Sequence, residues 1–141
     1  MERDWELLKR LLEEARKTPA GQDLVLMKNG VSYNGLYRKL SVGEDYPKVY
    51  EHIQLLADAG LVFAYELGQG QGQGRSSRIG ISIDRLSMAG HDFLEVAHNE
   101  TAWSKAKNVT QQVGGMTISL MKDLLVSYIK AEVAKHTGLP M

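Results

Sequence analysis

The sequence predicts an α+β, mostly helical fold: a winged helix-turn-helix domain with a β-hairpin wing and two additional C-terminal helices. Three observations carry this expectation. A helix pattern ends at Gly60 and runs straight into Leu61-Val62-Phe63-Ala64-Tyr65-Glu66-Leu67, rich in β-branched and aromatic residues. After a gap, Ile79, Ile81 and Ile83 alternate with Gly80, Ser82 and Asp84, the period of a half-buried strand. Between the two strands lies GQGQGQGRSSR, Gly68 to Arg78, long for a hairpin loop and without an apolar anchor. A wing tip holds no core, so it tolerates such a segment.

The remaining elements follow in order. Trp5, Leu8, Leu11, Leu12 and Ala15 recur at helical spacing. Asp4 caps the start of this helix, and Thr18-Pro19 with Gly21 ends it. Between Gly21 and Glu44 the pattern weakens. Leu24 to Met27 reads as a short strand, Asn29-Gly30 as a turn, and Val31 to Leu40 as either strand or short helix. Pro47 suits a first helical turn, and Val49, Ile53, Leu56 and Ala57 form the apolar face that leads to Gly60. A further helix starts near Ser87 and runs through Phe93, Leu94 and Ala97 toward Trp103 and Ala106, with a break or kink at Asn99. Gly114-Gly115 interrupts it. The last helix sets Leu120, Met121, Leu124, Leu125, Tyr128, Ile129 and Val133 on one side, with Gly138 and Pro140 closing it. The expected organisation is a winged-helix region over 1–86, with its wing loop at 68–78, and a helical extension over 87–141 packed on it as a single compact domain.

Composition narrows the function. The 141 residues match one ordinary domain, and 43% hydrophobic content suffices for a real core. Lys+Arg and Asp+Glu are both 17, so the net charge is zero, which argues against a strongly basic nucleic-acid binder. Without cysteine there is no disulfide, thiolate nucleophile or cysteine zinc site. No run approaches the ~20 apolar residues of a membrane span, so no membrane partner and a cytoplasmic location are expected.

The stretches MERDWELLKRLLEEA, VYEHIQLLADAGLV, RLSMAGHDFLEVAHNETAWSKAK and GGMTISLMKDLL occur in that order. With them the chain resembles an uncharacterised domain-of-unknown-function family of phages, prophages and bacterial genomes. The most specific parts are His52-Ile53 and Leu55-Leu56 before Ala59-Gly60-Leu61, and Gly90-His91-Asp92-Phe93-Leu94 before Trp103. The resemblance implies a winged-helix architecture and brings no catalytic residues.

No residue set announces a reaction, and an enzyme is not expected. Gly68, Gly70 and Gly72 follow a strand, but Gln73 stands where a dinucleotide fingerprint needs its third glycine. His91, Glu95 and His98 share a helical face yet lack H-E-x-x-H and a fourth ligand, so no metal and no cofactor are expected. The sequence points first to a small DNA-binding or regulatory protein, phage- or prophage-related. Lys48 and His52 on the helix and Arg75 and Arg78 on the wing are then the candidate contacts to duplex DNA. The alternative is a winged-helix protein-interaction module, with Glu51, Leu55 and Asp58 meeting a host or phage protein. The apolar stripe of the last helix suggests a homodimer.

Overall fold

Asp4 starts the first helix, α1 (Trp5–Lys17), because its side chain accepts from the otherwise orphaned Leu7 N–H at 3.1 Å. The computed structural model describes residues 3–28, 37–40, 46–68 and 78–137. Among these, α1 is followed by β1 (Asp23–Met27), β2 (Tyr37–Lys39), α2 (Tyr46–Asp58), β3 (Val62–Gly68), β4 (Arg78–Leu86), α3 (Met88–Ala97), α4 (Glu100–Gln112) and α5 (Ile118–Thr137). The α+β class is the one the sequence predicts. Two compact units, 1–91 and 92–141, divide the chain within α3.

In the first unit the strands form one sheet in the order β2-β1-β4-β3. β1 pairs antiparallel with β4, β4 antiparallel with β3, and β2 joins β1 in parallel. Leu24 opposes Ile83 and Leu26 opposes Ile81, so these four share a face. All are buried, and α1 and α2 pack on β4 from that side. The segment of weak pattern from Gly21 to Glu44 is described in part. Leu24–Met27 is strand, and Tyr37–Lys39 is strand rather than helix. Asn29-Gly30 and the stretch from Val31 to Leu36 lie outside the described residues. The wing loop between Gly68 and Arg78 also lies outside them.

β4 carries two irregularities that the isoleucine alternation does not reveal. Phe63 opposes Arg85 while Ala64 opposes Ile83, so Asp84 is an extra residue on β4. That bulge turns Leu86 back into the core. Leu67 opposes Gly80 while Gly68 opposes Arg78, which makes Ile79 extra in the same way. Ile79 accordingly packs with Val25, Met27, Leu67 and Tyr37 in a small second cluster. β3 itself stays regular: Val62, Ala64 and Glu66 point to the helix side, and Phe63, Tyr65 and Leu67 to the other.

The end of α2 and the start of α3 meet at one junction. Gly60 has φ of 77°, a left-handed conformation. Leu61 N–H donates to Leu56 O at 2.9 Å and Gly60 N–H to Ala57 O at 3.0 Å, which closes α2 as a Schellman motif. Ser87 then binds this turn twice: its N–H donates to Leu61 O at 2.9 Å, and its hydroxyl donates to Gly60 O at 2.5 Å. The same hydroxyl accepts from Gly90 N–H at 3.0 Å and so caps α3. A Cβ at Gly90 would lie 2.0 Å from Leu61 O. The Ala59-Gly60-Leu61 and Gly90-His91-Asp92 motifs thus meet in space because one backbone turn rests on the other.

In the second unit, the break expected at Asn99 is a true restart. Asn99 accepts from Ala102 N–H at 3.0 Å and caps α4. Phe93, Leu94, Ala97, Ala102, Trp103, Ala106, Met121 and Leu125 are buried. Leu125 belongs to the stripe that suggests a homodimer, yet it is fully buried within the single chain. Leu124, Tyr128 and Ile129 are half-buried, and Leu120 and Val133 are exposed.

Gly90→Ala should destabilise the fold by about 2–3 kcal/mol, since the clash is with backbone and cannot be relieved by a rotamer. Gly60→Ala should cost about 1–2 kcal/mol through its left-handed φ alone. Urea unfolding ranks the two; a Gly90→Ala chain as stable as the parent would show that the junction is not tight.

Candidate functional site

α2 presents two sides whose chemistry differs. Val49, Tyr50, His52, Ile53 and Leu56 are buried. Lys48 and Asp58 are exposed, and Glu51, Gln54, Leu55 and Ala57 are half-buried. The apolar face expected from spacing is present and wider than expected, since Tyr50 and His52 join it.

His52 corrects the sequence expectation of a surface contact. It is fully buried. Its Nε2 lies 2.9 Å from Asp4 N, and its Nδ1 lies 2.7 Å from Lys48 O. A backbone N–H can only donate, so Nε2 accepts and the ring proton sits on Nδ1, donating to the carbonyl. Both ring nitrogens are therefore occupied inside the protein, and the ring ties α2 to the chain entering α1. Lys48 belongs to the same brace: its ammonium lies 2.9 Å from Asp4 Oδ2. That hydrogen bond is the main reason the Asp4 carboxyl is held below its ordinary value, with the Leu7 N–H adding to it.

Of the two wing contacts expected, Arg75 lies outside the described residues, and the backbone of Arg78 begins β4 opposite Gly68. Glu51, Leu55 and Asp58 do fall on the accessible side of α2. Beside them, Gln54, Ala57 and Asp58 of α2 and Ala64, Tyr65 and Glu66 of β3 line a groove of about 290 Å³ that reaches Ile81. Gln54 donates to Glu66 Oε1 at 2.9 Å and fixes the spacing of helix and strand at one point. The groove lining combines two carboxylates, Asp58 and Glu66, with the apolar Ala57, Ala64 and Ile81. On the opposite sheet face Phe63 and Tyr65 remain 48% and 45% exposed. Arg85 stacks over Phe63 at 4.4 Å, and the Tyr65 hydroxyl donates to Asp23 Oδ2, which Ser82 also reaches. Sequence reasoning misses this groove. Its one signal is the two-residue period of any strand, which sets Ala64 and Glu66 of β3 on one face.

Among the described residues no group of three His, Asp or Glu side chains is placed to hold a metal, and no helix is long and apolar enough to cross a membrane. Fold and site together define an α+β protein with an acid-lined helix–strand groove. Residues 2–117 match the family described as Hypothetical protein (DUF2513), and the chain belongs to that family. No curated protein and no solved structure matches it.

His52→Ala should cost about 3 kcal/mol, because it leaves the Asp4 N–H and the Lys48 carbonyl without their buried partner and opens a cavity. Lys48→Met should cost under about 1 kcal/mol, as an exposed pair does. Denaturant titration separates the two, and equal losses would contradict the brace. In the parent, the stabilisation from Asp4 is fully present above its ordinary value of 3.8 and is lost as pH falls through the lowered folded value. Lys48→Met should raise that folded value in an NMR titration; an unmoved carboxyl would show that Lys48 does not hold it.

Proposed function

We propose that residues 1–91 form a winged-helix variant that acts as a protein-interaction module, regulatory in role and working in the phage or prophage setting that the sequence resemblance implies. Support for the winged-helix reading comes from the antiparallel order β1-β4-β3, with α2 leading into the β3–β4 hairpin. Among the described residues between β1 and α2, Tyr37–Lys39 is strand, in the part of the chain where a helix-turn-helix carries its first helix. One observation carries the choice of a protein partner: the accessible side of α2 shows Glu51, Leu55 and Asp58 beside a single lysine, Lys48, whose charge is paired with Asp4, and its histidine is buried. Such a side repels phosphates, and depletion of cations with an apolar centre suits a protein interface.

A photo-crosslinking residue at Leu55 should trap a discrete protein partner in cells, whereas the same group at the exposed Lys17 should not. Trapping at both positions or at neither would contradict the reading. A second reading keeps DNA binding, through Arg75 and Arg78 alone. That mode predicts a salt slope of about −2, about −0.9 per phosphate, which disappears in Arg75→Ala/Arg78→Ala. On the protein-interaction reading the parent shows no retention on random-sequence duplex even at low salt.

A further inference from the structure

We propose that β3 and the groove beside it receive an extended, basic segment of a partner protein, which pairs with β3 as a fifth strand of the sheet. The inference rests on the protein-interaction reading and names its mode and chemistry.

The two edges of the sheet differ in how they discourage pairing. β2 ends one side with only three residues, Tyr37, Arg38 and Lys39, and Arg38 reaches back to Glu14 of α1. Short length and positive charge are the usual protection of an edge. β3 ends the other side with seven residues, VFAYELG, without lysine or proline. Both bulges lie on β4, so β3 itself is regular, and among the described residues no strand lies beyond it. A long regular edge of this kind is a template for strand addition.

The side chains flanking that edge give the added strand its chemistry. A strand beside β3 alternates its side chains between the two sheet faces. On the helix face they enter the groove between α2 and β3, which is lined by Asp58 and Glu66 together with Ala57, Ala64 and Ile81. A long cationic side chain satisfies both features, since its methylene stem covers the alanines and its charge reaches the carboxylates. On the other face they lie beside Phe63 and Tyr65, the exposed aromatic rings of β3. Apolar or aromatic residues fit there. The pattern expected in the partner is therefore alternation of Lys or Arg with apolar residues. Duplex DNA cannot follow a strand edge and would meet the same carboxylates with phosphates.

The test uses the full chain against a display library of random peptides of about nine residues, long enough to span β3. Selection should enrich peptides that alternate basic and apolar residues. In the complex with an enriched peptide, the β3 amides that point away from β4 should become protected from hydrogen exchange. Asp58→Lys lies at an exposed position, leaves the fold intact and should weaken binding roughly tenfold, the effect of exchanging an attraction for a repulsion in the groove lining. Proline placed in turn at two adjacent central positions of the peptide should abolish binding at one of them, because one of the two N–H groups is a ladder donor to β3. Enrichment of acidic or helical peptides, no enrichment at all, or binding without protection of β3 would overturn the proposal. If such a failure accompanies successful crosslinking from Leu55, strand addition is wrong and the interaction reading stands. If both fail, that reading falls as well.

Discussion

His52, itself fully buried, holds α2 in place through two hydrogen bonds, and the accessible side of α2 depends on that hold. One bond runs within α2 to the carbonyl of Lys48, and the other crosses to the N–H of Asp4 at the entrance to α1. A neutral imidazole with its proton on Nδ1 satisfies both groups, and no other tautomer does. Asp4 extends the effect, because the same residue caps α1 and pairs with Lys48. The first turn of α1 and the middle of α2 are thus fixed by one residue on each side. Fixing α2 at this rotation turns Glu51, Leu55 and Asp58 outward together.

The far end of α2 is fixed in a different way. There the constraint is backbone against backbone: the Gly60 turn, the Leu61 carbonyl, the Ser87 cap and the missing side chain of Gly90. Between these two anchors α2 lies beside β3, and the Gln54–Glu66 hydrogen bond spans the gap on the groove side. A helix held at both ends beside a regular edge strand keeps a shallow groove open along that strand. Such geometry suits recognition of an extended chain better than chemistry on a small molecule.

Much of this is legible in the residues. The apolar periodicity of α1 and α2, the capping by Asp4 and Ser87, the chain break at Asn99 and the α+β class all follow from local rules that the tertiary structure does not override. The burial of His52 does not follow from those rules. A histidine on the polar flank of an amphipathic pattern reads as exposed until a donor distant in sequence, the Asp4 N–H, is brought to it. The strand Tyr37–Lys39 is ambiguous for a related reason: three residues with two cations carry little period, and their state is decided by the neighbouring β1. The bulges at Ile79 and Asp84 stay hidden because an Ile-x-Ile-x-Ile alternation looks the same with or without them. The groove needs the pairing of two elements whose facing residues, Asp58 and Glu66, carry no motif.

The ring nitrogens of His52 test this account most directly. Nitrogen-15 NMR of the imidazole at neutral pH should show Nδ1 protonated and Nε2 bare, with a scalar coupling across the hydrogen bond from the Asp4 N–H to Nε2. A proton on Nε2, or ring signals averaged by exchange with water, would mean that His52 reaches the surface. α2 would then not be held at this rotation, and Glu51, Leu55 and Asp58 would have no fixed common side.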